Sequence, residues 1–169
     1  INGTASHAAH ENSDNPILKS IEVLKWIKEL NFEKKSEFLG QVKSNVTQIN
    51  AGNQHNVIPS EVNMVLDVRI NDCYTNQEIN KIILEKAPCS MVPRSLNLNS
   101  SSIHPNHKIV KAAESLGIEK YGSPTLSDQS KISFPSIKIG PGDSKRSHTA
   151  NEFIFINEIE EAIIKYIEL

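Results

Sequence analysis

The sequence predicts a two-part chain. A β-α-β-β-α-β unit of the ferredoxin-like kind spans residues 1–101, and part of an α/β layer spans 102–169. Three observations predict this. The apolar periodicity switches between helical and alternating in that order. The character of the chain changes at Ser100-Ser101-Ser102. The last seventy residues offer a strand, a loop and a helix, too few strands for a complete sheet.

The elements follow in order. Residues 16–30 carry apolar side chains at Ile17, Leu18, Ile21, Leu24, Ile27 and Leu30, near a 3.6 period. Asn15 caps this helix, and Pro16 stands at its first position. Residues 42–50 alternate, with Val42, Asn45 and Thr47 against Val46 and Ile49. Residues 51–60 are a loop. Residues 61–70 alternate again, with Val62, Met64, Leu66 and Val68 on one face, so the two strands are expected as antiparallel neighbours. Thr75 and Glu78 form a capping box for a helix through Lys86 whose apolar side is Ile79, Ile82 and Ile83. Val92, Leu96 and Leu98 mark a strand over 91–99. Ile1-Asn2-Gly3 reads as the stub of the unit's first strand. Further on come a short helix over 106–117 ended by Gly117, a loop over 122–130, a strand over 136–140, and a helix from about Asn157 to Tyr166. The stripe of that last helix is Ile159, Ala162, Ile163 and Tyr166. The chain opens on Ile1 and not Met, and the final helix needs a sheet to cover it. Both lead us to expect a lid plus half of a second domain, cut from a longer protein.

Composition narrows the function classes. The chain has 169 residues, 38% hydrophobic and 22% charged, with a formal charge of −2. Lys and Arg do not cluster, so no nucleic-acid partner is expected. No apolar run approaches the ~18 residues of a membrane span, so no membrane partner is expected either. Cys73 and Cys89 make neither a disulfide framework nor a zinc pair, and read as reduced thiols of a cytoplasmic protein. The sequon Asn45-Val46-Thr47 is taken as chance.

Five segments stand out from the core and turn pattern, most of them rich in Gly, Ser or His. They are Gly3-Thr-Ala-Ser-His7-Ala, Asn56-Val-Ile-Pro59, Leu66-Asp-Val-Arg69, Gly122-Ser-Pro-Thr-Leu-Ser-Asp128, and Gly140-Pro-Gly-Asp-Ser-Lys-Arg-Ser-His148-Thr-Ala-Asn-Glu152. Arg69 ends an apolar strand, where it is either a surface arginine or a fork for a carboxylate. His148 lies in a loop between a strand and a helix, where a neutral imidazole can ligate a metal.

In order and spacing the five segments resemble the M20 family of metallopeptidases and deacetylases. The wording of the last two is most similar to acetylornithine deacetylase-like enzymes of the Bacteroidetes type. The resemblance implies a lid, or dimerisation, domain over 1–101 and the C-terminal half of a zinc-peptidase-like catalytic α/β domain over 102–169. It implies a homodimer through the lid and two zinc ions per complete site, with cobalt as a substitute. His7 would be the catalytic histidine that reaches the partner's site and donates to the developing oxyanion. Asn56 and Arg69 would hold the substrate's amide and carboxylate, and Thr125, Ser127 and Gly142 would line its binding loops. His148 would be the last metal ligand. Leu126 stands where close relatives often carry Thr or Gly.

The implied reaction is metal-assisted hydrolysis of the amide bond of an N-acyl amino acid, with a general-base glutamate from outside this chain. Acetylornithine, in arginine biosynthesis, is the first substrate. Succinyl-diaminopimelate and dipeptides are the alternatives, and a non-catalytic dimerisation module is the alternative of another class. The 169 residues alone are expected to be inactive and to bind zinc weakly.

Overall fold

A computed structural model describes residues 1–123 and 125–169. The chain divides into two compact units, Ile1–Ser100 and Ser101–Leu169.

The first unit holds β1 (Ser6–His7), α1 (Pro16–Glu29), β2 (Lys43–Ala51), β3 (Val57–Ile58), β4 (Val62–Arg69) and α2 (Asn76–Lys86). β2 and β4 pair antiparallel, as the alternation predicts, with Lys43 opposite Arg69 and Ala51 opposite Val62. A bulge between Val46 and Gln48 takes Thr47 out of register. The expected loop at 51–60 contains β3, which pairs with β1. The expected stub is also paired: Asn2 bridges Glu61, the Ile1 ammonium donates to Val62 O at 2.8 Å, and Gly3 N donates to Ser60 O at 2.8 Å. Residues 1–7 therefore run antiparallel to 57–62.

Two helix ends form as read. The Asn15 side chain accepts from Ile17 N at 2.9 Å with Pro16 in the first turn, and Thr75 and Glu78 close their capping box. The buried face of α1 differs from the expected one. Pro16, Ser20, Val23 and Ile27 are buried, while Ile17, Leu18, Ile21 and Leu24 are exposed. The helix carries apolar residues on two stripes, and the stripe of Pro16, Ser20, Val23 and Ile27 is the buried one.

The core is Phe32, Tyr74, Ile79 and Ile83, with Trp26, Val42, Val68, Ile70 and Met91 packed around it. Asn71, 1% exposed, is its polar latch. Its amide donates to Lys34 O at 3.1 Å and Gly40 O at 2.8 Å, and its oxygen accepts from Cys73 N at 3.1 Å. Cys73 and Cys89 are both free thiols.

The strand expected over 91–99 is absent, so the full ferredoxin-like order is not formed among the described residues. Pro93 has no N–H to give a ladder, and Val92 is 84% exposed.

The second unit holds α3 (Lys108–Ser115), two 3₁₀ turns (Asp128–Lys131 and Ser144–Arg146) and α4 (Ile156–Glu168). Gly117, at φ +71°, ends α3: Gly117 N donates to Glu114 O, and Ile118 N reaches back to Ala113 O. Only Gly adopts that left-handed turn without strain. The strand expected over 136–140 does not form, because a strand needs a partner and this unit has no other strand among the described residues. On α4 Ala162 is buried, but Ile159, Ile163 and Tyr166 of the expected stripe are exposed.

Candidate functional site

The predicted residues fall into two groups, one in each unit. In the first unit the β1–β3 ladder brings His7 and Asn56 together. His7 stands opposite Val57, and Ala8 N donates to Asn56 O at 2.9 Å. The His7 side chain is held from its own turn, where Nδ1 accepts from Ala9 N at 3.1 Å. A neutral imidazole accepting at Nδ1 carries its proton on Nε2, so His7 presents a donor to the outside. His10 lies edge-on to it, with ring centroids 5.8 Å apart.

Two residues that brace this loop carry no signal beyond ordinary loop composition. Asn12 donates to Thr4 O at 2.8 Å and Ser6 Oγ at 2.7 Å, and accepts from Asp14 N at 2.7 Å. Asp14 binds Lys19 and the Thr4 hydroxyl, and those bonds hold its carboxyl below the ordinary range. The first glycine of the motif has a steric reason. A Cβ on Gly3 would come within 2.3 Å of Asp14 O and 2.5 Å of Pro16 Cδ.

Arg69 stands apart from this pair. It ends β4, seven residues beyond Val62, which is about 23 Å of extended strand. Its guanidinium forms the expected two-pronged fork, but on its own strand: Nε donates to Asp67 Oδ1 at 2.7 Å and the second nitrogen to Oδ2 at 3.0 Å. Residues i and i+2 of a strand share a face, which is why Asp67 and Arg69 meet.

In the second unit Thr125 Oγ1 lies 2.7 Å from Ser123 Oγ, and Pro124 between them is outside the described residues. Ser127 starts the turn Asp128–Lys131, and its hydroxyl donates to Gln129 Oε1 at 3.3 Å. Gln129, which motif reading passes over, ties this turn to Ser136 through Nε2, 3.1 Å from the carbonyl oxygen. Gly142 has φ +79° and His148 φ +59°. His148 is the one non-glycine described residue in that region, and its N–H is held by Glu152 Oε2 at 3.0 Å.

Among the described residues no group of three or more His, Cys, Asp and Glu side chains is placed to hold a metal ion. His148 offers one imidazole, whereas a zinc site takes about three or four protein donors. The described residues therefore do not fit a complete two-zinc centre.

Comparison with known proteins agrees with the resemblance to the M20 family. The family of the peptidase dimerisation domain of M20 enzymes matches residues 1–88, just over half of the chain. A succinyl-diaminopimelate desuccinylase of Wolbachia pipientis subsp. Culex pipiens (strain wPip) is 32% identical over 102 residues, covering 59% of this chain and 25% of the relative. One of Nautilia profundicola is 33% identical over 116 residues, covering 66% of this chain and 32% of the relative. The chain thus spans about a quarter to a third of the length of the curated relatives it matches. With the family match covering more than half of its residues, the chain belongs to the M20 peptidase family.

Proposed function

We propose that this chain forms the lid and part of the catalytic half of a hydrolase that cleaves the amide bond of an N-acyl amino acid. The observation that carries this reading is the β1–β3 ladder, which sets the backbone of Asn56 and Val57 against that of His7 and Ala8, with the His7 imidazole held from its own turn. An Nε2–H donor is what an amide oxygen requires as it gains charge, and a carboxamide can hold the amide itself. Arg69 supplies a guanidinium fork for the substrate carboxylate, with Asp67 holding its orientation until a substrate carboxylate displaces it. Thr125, Ser127 and Gly142 line the binding loops. The family is generally metal-dependent. Zinc, with cobalt as a substitute, is the metal this reading adopts, and His148 is the ligand this chain contributes.

His7 and Arg69 stand in two different two-stranded sheets, β1–β3 and β2–β4, which favours a site assembled from two copies, so a homodimer through the lid is part of the proposal. Acetylornithine is the substrate suggested by the wording of the C-terminal motifs. The names of the similar proteins favour the alternative, succinyl-diaminopimelate. A cytoplasmic location goes with either biosynthetic role.

The test is turnover of acetylornithine, succinylornithine, acetylcitrulline and succinyl-diaminopimelate. It compares the complete gene product containing these residues with the 169-residue chain. Release of the free amine by the complete product, abolished by His7→Ala, is expected. No turnover is expected from the 169-residue chain. Hydrolysis of none of the four by the metal-loaded complete product would remove the reading.

A further inference from the structure

In the loop Pro141–Ala150 every residue is exposed except Arg146. That side chain turns inward and is only 18% exposed. Its guanidinium donates to Glu158 Oε1 at 2.5 Å and lies 4.9 Å from the ring centre of Phe153 and 5.2 Å from that of Phe155. The two rings meet edge-to-face at 5.2 Å, forming a corner that a planar cation fills. Glu158 is anchored in turn, because its second oxygen accepts from Phe155 N at 2.9 Å in the first turn of α4.

The backbone around Arg146 is tied to the same point. Arg146 N donates to Asp143 O at 3.0 Å, Ser147 N to Ser144 O at 3.3 Å, and the Thr149 hydroxyl to Arg146 O at 2.8 Å. Gly142 passes so close that a Cβ there would stand 3.3 Å from Ile154 and 3.5 Å from the guanidinium. Two residues beyond Arg146, His148 sits at φ +59°, in the left-handed region that residues other than glycine enter uncommonly.

We propose that Arg146, clamped by Glu158, Phe153 and Phe155, is the positioning residue that holds the Gly142–His148 turn in shape. Through that turn it sets the direction of the His148 imidazole. The importance of that direction rests on the reading of His148 as a site residue; the clamp itself does not.

The test uses amide hydrogen exchange and NMR coupling and Cα shifts on the 169-residue chain with Arg146→Gln, and independently with the pair Phe153→Leu and Phe155→Leu. We expect the amides of residues 146–148 to exchange at least about tenfold faster in R146Q, and less so in the double variant. The positive-φ signature of His148 should be lost, while the amides of α4 keep their protection. Unchanged exchange and an unchanged His148 signature would overturn the proposal. So would the melting of α4 in both variants, because Arg146 would then support the unit and not the turn. If the turn loosens but R146Q leaves kcat of the complete gene product intact, the clamp stands and the active-site reading of His148 fails.

Discussion

Asn71 illustrates how much one side chain can hold. No charge or motif marks it, yet it satisfies the carbonyls of Lys34 and Gly40 and the amide of Cys73 inside the core. Asn71→Ala removes the bonds to Lys34 O and from Cys73 N, while Gly40 O keeps Ser36 N as a donor at 3.0 Å. We expect a loss of about 1–3 kcal/mol in urea unfolding, with an unchanged m-value. His7 was singled out from the motif because an imidazole donor depends on residue type, whereas the steric need for Gly3 shows only in the fold, where a Cβ would meet Asp14 O. Asn12, Gln129 and Arg146 were not singled out. Their roles depend on partners that are brought close only by folding.

At the scale of elements, local signals served well where the partner is local. The Asn15 cap, the Thr75–Glu78 box and the Gly117 stop all form within about four residues of chain. The strands at 91–99 and 136–140 failed because a ladder needs a second strand, which no local pattern supplies. The helix starts also predict an acid response. The Thr75 N–H and hydroxyl hold the Glu78 carboxyl below its ordinary 4.5, with Lys34 adding to this. Arg146 first, then Phe155 N–H, hold Glu158 below the same value. A carboxyl lowered in the folded state stabilises fully above its ordinary value and loses that contribution as pH falls through the lowered one. Thermal unfolding followed between about pH 6 and about pH 3 should therefore show falling stability below about pH 4.5. Glu78→Gln should make that fall shallower.

At the scale of the whole molecule, the exposed stripe of α1 bears on assembly. Ile17, Ile21 and Leu24 are 44%, 47% and 37% exposed, and lie about a quarter-turn from the buried stripe. In the same unit β2, which carries Ile49 at 53% exposure, pairs only with β4 among the described residues. The homodimer proposed above is expected to use the exposed stripe of α1. Ile21→Asp is expected to weaken self-association at least about tenfold by burying an unpaired charge at the interface. Sedimentation velocity measures this, and circular dichroism should be unchanged because Ile21 lies outside the core. An equal mass distribution for both proteins would assign the dimer to another face. No helix among the described residues is long and apolar enough to cross a membrane.

The sequence by itself determined the helices, the Asn15 and Thr75–Glu78 caps and the Gly117 stop, the β2–β4 pairing and, through five ordered motifs, the family. These depend on residue type and on spacings of a few residues. Only the tertiary structure decided which stripe of α1 is buried, that β3 exists and seats Asn56 beside His7, that Asp67 occupies the Arg69 fork, and that Arg146 anchors the His148 turn. Each depends on which of several chemically adequate partners comes within contact distance, and that choice belongs to packing across tens of residues.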